Sequence, residues 1–237
     1  MRICLIGYGK MGQIIESLAI QKGHIITGRI SSKNRNQLAD YLSDSDVAIE
    51  FSSPDCALEH ITICFEHQVP IVCGTTGWLD QWDEMLTLRG MTDGAILWAS
   101  NFSIGVNILF AVNRYLATLM SPLIDYKPKV AEIHHIHKKD SPSGTALSLS
   151  KDILATRTDL SSWSLDSKQN SALYIDAKRT EDVVGYHKVS YESKQDNIEI
   201  SHNAYSREGF ASGAILAAEW IVGKTGCYGM KDVLGIG

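Results

Sequence analysis

Three histidines, two lysines and a Ser-Gly-Thr turn are packed into one stretch, Glu132-Ile133-His134-His135-Ile136-His137-Lys138-Lys139-Asp140-Ser141-Pro142-Ser143-Gly144-Thr145-Ala146. The imidazoles of His134, His135 and His137 are proton-transfer groups, and Lys138 and Lys139 carry fixed positive charge. Ser141 and Pro142 predict a helix start, an N-cap hydroxyl followed by proline at the first helical position. The backbone N–H groups of Ser143, Gly144 and Thr145 would then be unpaired at a helix N-terminus, which is an anion site. A proton donor, a cation and an anion-binding turn in one place suit reduction or acid–base chemistry on a carboxylated substrate. Two plainer readings compete. A row of histidines beside Lys-Lys also fits a solvated strand, although the helix start that follows weighs against it. His135 and His137, two apart on a strand, would point to one face as metal ligands. Zinc needs a third or fourth ligand, and the neighbouring lysines repel a cation, so the site is expected to be metal-free.

A second constellation opens the chain. Arg2 to Ile6 is a short apolar run, predicted as a buried strand, and Gly7-Tyr8-Gly9-Lys10-Met11-Gly12 follows at once. Met11, Ile14, Ile15, Leu18 and Ala19 then recur at helical spacing, and Gly23 ends the helix. Strand, G-x-G-x-x-G and helix in that order form the dinucleotide fingerprint. Further strands are predicted at His24–Ile30, Val47–Phe51, Pro70–Cys73 and Ala95–Ala99, with a helix from Ser52-Ser53-Pro54 to about Gln68. Strands alternating with helices imply an α/β fold with a doubly wound parallel sheet, whose ligands bind beyond the carboxyl ends of the strands. Those ends carry the glycine loop, Ser52, Gly74-Thr75-Thr76-Gly77, and Ala99-Ser100-Asn101-Phe102. The second strand has no carboxylate to read a free ribose 2′-hydroxyl. It ends Arg29-Ile30-Ser31-Ser32-Lys33, with Arg35 close behind, and this suits the 2′-phosphate of NADPH.

The second half must position the histidine stretch. Ile104–Met120 predicts a long helix. Lys129–His137 alternates like a strand, which would put His134, Ile136 and Lys138 on one face, roughly 13 Å separating the first from the last at about 3.3 Å per residue. A helix from Pro142 to about Ala155 leads into a polar loop. Strands are expected near Ala172–Lys178, His187–Ser193 and Ile198–His202, with a hairpin turn at Lys194–Asn197. Gly209–Val222 is apolar at helical spacing and is expected to return to the first domain. The chain is long enough for two modest domains. Its net charge of −5 and lack of a basic block argue against nucleic acid as a partner. Five scattered cysteines without metal spacing read as reduced core residues of a cytoplasmic protein. No apolar run is long enough to span a bilayer, and the opening strand leaves no room for a signal peptide.

These residues resemble the dihydrodipicolinate reductase family over most of the chain: the glycine loop, Glu50-Phe51-Ser52-Ser53-Pro54, Gly74–Gly77, Ser100-Asn101-Phe102-Ser103-Ile104-Gly105-Val106-Asn107, Glu132–Ala146, and the tail from Arg207 to Trp220. The resemblance implies a Rossmann-like dinucleotide domain built from residues 1–103 and 209–237. It also implies a central mixed α/β domain, 104–208, for substrate binding and assembly into a homotetramer. By the same resemblance His134 is the proton donor and Lys138 the catalytic lysine, while His135, Gly144 and Thr145 bind a cyclic dicarboxylate. The implied reaction passes hydride from nicotinamide C4 to ring C4 and gives tetrahydrodipicolinate, in the route to diaminopimelate and lysine; the family often accepts both NADPH and NADH. Here the glycine loop is one residue shorter than the common G-x-x-G-x-x-G form, and Lys10 stands where arginine is usual. Two rival readings keep the two-domain pattern: a nicotinamide dehydrogenase acting on an amino acid or sugar, and a non-catalytic NADP-binding sensor.

Overall fold

The computed structural model describes every residue except Lys139, Asp182 and Gly237. Contacts divide the chain into two units, Met1–Ile104 with Arg207–Gly237, and Gly105–Ser206.

The first unit is built on β1 (Arg2–Ile6), β2 (Ile25–Ile30), β3 (Val47–Glu50), β4 (Ile71–Cys73), β5 (Ala95–Trp98) and β11 (Gly226–Tyr228). They form one parallel sheet in the order β11-β5-β4-β3-β1-β2. Alternation along the strands feeds two cores. Ile3, Leu5, Val47, Ile49, Val72 and Leu97 face α1 (Lys10–Gln21) and α7 (Glu208–Ile221). Cys4, Ile6, Ala48, Ile71, Cys73 and Ile96 face α2 (Leu38–Leu42), α3 (Pro54–Glu66) and α4 (Trp82–Thr92). A sheet buried on both faces is what the near-continuous apolar strands require. The chain reverses its winding at β1, so β1 and β3 border a switch point where ligands bind in such sheets. After β11 a short α8 (Met230–Leu234) follows. Neither β11 nor α8 is legible in the apolar periodicity, because each is too short to show a repeat.

The second unit holds β6 (Lys127–His134), β7 (Ser162–Ser164), β8 (Ala172–Arg179), β9 (Gly185–Glu192) and β10 (Asn197–Ala204), in the order β10-β9-β6-β8-β7. The pairs β6–β8 and β7–β8 are parallel, and β6–β9 and β9–β10 antiparallel. One face packs Val130, Leu173, Ile175, Val189 and Tyr191 against α5 (Ile104–Met120) and α6 (Gly144–Thr156). The expected polar loop after α6 contains β7, a three-residue edge strand with too little alternation to be recognised. The strand expected at Lys129–His137 starts earlier and stops at His134. There Thr180 N–H donates to the His134 carbonyl (2.9 Å), and the Lys138 N–H closes a turn onto the carbonyl of His135 (3.1 Å). Among the described residues no helix is long and apolar enough to cross a membrane.

Candidate active site

In the first unit the glycine loop leaves β1 with Gly7 at φ +92°, its N–H donating to the Ile30 carbonyl (2.9 Å). A Cβ on Gly7 would stand 2.0 Å from the Phe51 carbonyl oxygen, and one on Gly12 would stand 2.3 Å from that of Gly7. Both glycines are therefore demanded by backbone packing. Gly9, the N-cap of α1, is different: among the described residues a Cβ there meets nothing within 4 Å beyond its chain neighbours. Exposed backbone at a helix start, with Lys10 beside it and no acid in the first helical turn, fits the pyrophosphate of a dinucleotide.

The other expected cofactor residues divide by burial. Tyr8 donates its hydroxyl to Glu16, and Met11 is half-buried against the core. Ser52, Thr76 and Ser100 are exposed, and Gly74 and Asn101 are half-buried. Thr75 is buried and fixed: its Oγ1 accepts the Ser52 N–H (2.9 Å), and its carbonyl accepts both Trp78 Nε1 (2.9 Å) and Trp98 Nε1 (3.0 Å). Ala99 and Phe102 belong to the core, so a ligand would meet their backbone rather than their side chains. Glu50, which sequence reasoning passed over, lies buried under these loops and accepts from the Ser52 N–H (3.1 Å), the Ser52 hydroxyl and the Cys73 thiol (3.1 Å). Burial pushes its carboxyl up, but donors from His60, Ser52, Thr75 and Cys73 outweigh this and hold it below its ordinary value.

At the end of β2, Ser31 is tied to Asn34 through its N–H (2.8 Å) and hydroxyl (3.0 Å), while Ser32 and Lys33 are exposed. Two of the cations expected near a ribose phosphate are otherwise engaged. Arg29 pairs with Glu16 of α1 (Nε to Oε1, 2.7 Å), and Arg35 pairs with Glu59 of α3 (3.2 Å). Among the described residues Lys33 makes no ion pair.

In the second unit the histidine stretch is rearranged relative to the sequence expectation. The helix start is not Ser141-Pro142. Ser143 is the N-cap, its Oγ accepting the Ala146 N–H (3.2 Å), and α6 begins at Gly144. The Ser143 N–H, expected to be unpaired, donates to the buried Glu132 carboxylate (3.1 and 3.2 Å), and the cap falls two residues later than expected. Gly144 is exposed and Thr145 half-buried in the first turn. Because β6 ends at His134, His134, Ile136 and Lys138 do not share a strand face. His135 and His137 lie in the turn with their rings 6.2 Å apart, not on one strand face as a ligand pair. Lys138 reaches Asp140 (2.9 Å). Lys139 lies outside the described residues.

What the fold brings together is His134, Glu132 and His187. Glu132 and His134 are two apart on β6 and point inward, and the β6–β9 register sets His187 opposite Glu132. The His134 and His187 rings meet edge to face at 4.9 Å. Burial pushes His134 down to about 4, aided by Lys138 and Arg179 and opposed by Glu132. Burial and the His134 neighbour push His187 down to about 3. Three donor atoms of Glu132, His134 and His187 lie within 4.8 Å of one another. Both Glu132 oxygens accept hydrogen bonds, from Ser143 (3.1 and 3.2 Å) and from Arg179 (3.0 Å), and the cations of Lys138 and Arg179 both act on His134. His187 could be found in the sequence only as an inward position of an alternating strand.

A glycine loop on a doubly wound sheet, with a separate unit carrying a buried acid–imidazole cluster beside a helix start, defines a two-domain nicotinamide-nucleotide oxidoreductase. The family described as dihydrodipicolinate reductase, N-terminus, matches residues 1–102, and dihydrodipicolinate reductase, C-terminus, matches residues 105–234. This chain belongs to the dihydrodipicolinate reductase family. It is 47% identical over 235 residues to a 4-hydroxy-tetrahydrodipicolinate reductase of Christiangramia forsetii, covering 99% of this chain and 98% of the relative. It is 34% identical to the enzyme of that name from Neisseria meningitidis, covering 93% and 84% respectively. A solved dihydrodipicolinate reductase from Paenisporosarcina sp. TG-14, described as dipicolinate-bound, shares the fold at a TM-score of 0.76, with 19% identity and 98% of each chain covered.

Proposed function

We propose that the protein reduces 4-hydroxy-tetrahydrodipicolinate to tetrahydrodipicolinate with NAD(P)H, in diaminopimelate and lysine biosynthesis. The observation that carries this is family membership along the whole chain. For the hydroxylated substrate the balance is substrate, NAD(P)H and a proton giving tetrahydrodipicolinate, NAD(P)⁺ and water. Bound NAD(P)H supplies a hydride from C4 of its nicotinamide. In our reading His134 gives the balancing proton to the ring atom where electron density collects, and Lys138 stabilises the developing negative charge. The N–H groups of Gly144 and Thr145, with His135, hold the substrate carboxylates. In the free protein His134, at about 4, is neutral at pH 7. A dianionic substrate favours its protonated form on arrival. The test is NADPH oxidation coupled to dihydrodipicolinate synthase with aspartate semialdehyde and pyruvate, run with and without a chelator. Turnover in both supports the reading, and none in either refutes it. Turnover abolished by the chelator would overturn His134 as the acid.

NADPH is the cofactor we expect to be preferred. Glu16 is paired with Arg29 of β2, which holds its carboxyl below the ordinary range. Its repulsion of a 2′-phosphate would be small, and in our reading Lys33, which makes no ion pair among the described residues, pairs with that phosphate. A charge-assisted contact supports a preference of roughly ten- to a hundred-fold, less at higher salt because Lys33 is exposed. Values of kcat/KM for both cofactors at low and moderate salt check this, with Lys33→Ala expected to bring them together. Equal values at both salts for the unmodified protein would count against it.

Assembly as a cytoplasmic homotetramer through the second unit completes the proposal. Its sheet is covered by helices on one face, while the other carries Lys129, Tyr174, Asp176, Lys188 and Ser190, with Lys129 paired to Asp176 (3.0 Å). A strand-rich unit whose own helices cover one sheet face supports covering of the other face or an edge by a second copy. Sedimentation at micromolar concentration should show four chains; a fully active monomer is the contrary result.

A further inference from the structure

The geometry points to Glu132 as the positioning residue of this site: its carboxylate, set against Nδ1 of His134, fixes the imidazole tautomer and leaves Nε2 as the nitrogen that delivers the proton. This rests on the reading of His134 as proton donor and adds to it the residue that directs the donor.

Glu132 is fully buried at the inward face of β6. A carboxylate in such a place is costly unless hydrogen-bonded and paired. It is both: the Ser143 N–H and the Arg179 guanidinium donate to it, and the β6–β8 register brings Arg179 in by setting it opposite His134. Its remaining capacity faces two rings. Oε2 lies 3.6 Å from His134 Nδ1 and 3.7 Å from His187 Nε2. His187 has another oxygen in reach, the Ser143 hydroxyl at 3.2 Å. Among the described residues the enclosed Nδ1 of His134 has no hydrogen-bond partner, so Glu132 is the acceptor that a proton on Nδ1 would point to. At 3.6 Å the pair is longer than a hydrogen bond, as a catalytic pair often is before substrate binds.

The opposite side of the ring is kept open. A Cβ on Gly185, the first residue of β9, would lie 3.4 Å from His134 Nε2, so the absent side chain leaves an approach to that nitrogen. The step then balances. The imidazolium carries protons on both nitrogens; the Nε2–H bond breaks as the new bond to the substrate ring forms. The electron pair stays on Nε2, and the neutral ring retains its Nδ1 proton facing Glu132. Solvent restores the Nε2 proton before the next turnover.

Among the described residues the titratable and charged groups around the ring are Glu132 on β6, Lys138 and Asp140 on the loop that follows, Arg179 on β8 and His187 on β9. Burial, Lys138 and Arg179 oppose the protonated form, and Glu132 is the main group favouring it. His134 must be protonated in the substrate complex, so turnover is present below its pKa there and falls as pH rises through it. Removing the Glu132 charge lowers that pKa and moves the falling limb to lower pH.

The experiment combines kcat–pH profiles of the wild type, Glu132→Gln, Glu132→Asp and His134→Gln with nitrogen-15 NMR of histidine-labelled wild type, where the ring shifts report the tautomer. We expect the Nδ1-protonated tautomer in the wild type near pH 7. Glu132→Gln should turn over roughly 10–10³-fold more slowly at neutral pH, with its limb about 1 unit or more lower. KM should change less than kcat, and Glu132→Asp should recover part of the loss. A slow His134→Gln together with a Glu132→Gln of wild-type rate and unmoved limb would overturn this inference while leaving His134 as donor. A His134→Gln at wild-type rate would overturn the donor itself. Should Glu132→Gln not fold, the wild-type tautomer decides, and a proton on Nε2 in place of Nδ1 refutes the proposal.

Discussion

His134→Gln is expected to lower kcat by roughly 10²–10⁴-fold, the range for a lost general acid, with the thermal unfolding midpoint nearly retained. The side chain is only 8% exposed, and glutamine keeps much of its volume and polarity. Lys138 sits differently. Its side chain is 24% exposed and held by Asp140 rather than by the core, so Lys138→Ala removes charge without opening a cavity. It should slow turnover within the same range and also raise KM if, as proposed, the cation serves both the bound dicarboxylate and the charge that develops on it. Steady-state kinetics beside thermal denaturation separate the two effects. A His134→Gln protein turning over at the wild-type rate would mean that the proton comes from water.

Gly7→Ala should be the most damaging substitution in the nucleotide unit. The new methyl would have to occupy space 2.0 Å from the Phe51 carbonyl oxygen and 2.4 Å from its carbon, at a φ of +92° that alanine rarely adopts. The backbone strain costs about 1–3 kcal/mol, and forcing β1 away from the end of β3 adds about 1–3 kcal/mol of overpacking. That is a large fraction of the roughly 5–15 kcal/mol that holds a domain folded. The Phe51 N–H to Ile6 carbonyl bond, 2.7 Å, lies directly in the path of the displacement. Urea unfolding should show a markedly lower midpoint, and fluorescence titration should show NADPH binding weakened by at least tenfold. Gly9→Ala is the control. Among the described residues a Cβ built there meets nothing within 4 Å beyond its chain neighbours, so the fold should survive while affinity for the dinucleotide drops. A Gly7→Ala protein with unchanged unfolding and affinity would show that the loop yields more easily than its contacts imply.

The parts of the molecule that were legible beforehand are those written in local periodicity. Ile3 and Leu5 alternating with Cys4 and Ile6, then Ile15 and Ala19 at helical spacing, identify a strand, a glycine loop and a helix without any knowledge of their neighbours. The helix from Ile104 to Met120 was bounded correctly for the same reason. Where tertiary contacts decide, local rules failed. Ser141-Pro142 has the chemistry of a helix start, but Ser143 is the cap, and its N–H donates to a buried carboxylate eleven residues earlier. Arg29, Lys33 and Arg35 read alike as candidates for a phosphate, and only the structure shows that Arg29 and Arg35 are each paired with a glutamate on a neighbouring helix. His187 joins the site only through the pairing of β6 with β9, which no spacing in the sequence records. Glu132 lies inside the histidine motif, but the part it can play depends on its burial, which a sequence does not display.

The division of the chain bears on how it is synthesised. The nucleotide unit is discontinuous: residues 1–104 supply β1 to β5, and α7 returns after residue 206 to bury Ala211, Ala214, Ile215, Ala217, Ala218 and Ile221 against them. On the ribosome, where domains fold as units as they emerge, the first hundred residues leave the exit tunnel with Ile3, Leu5, Ile49, Val72 and Leu97 lacking that cover. Residues 105–206 form an uninterrupted block and can complete their own core earlier. The last unit to close is therefore the one translated first, and a nascent chain stalled short of Ile221 would display an unfinished apolar sheet to the chaperones that attend it.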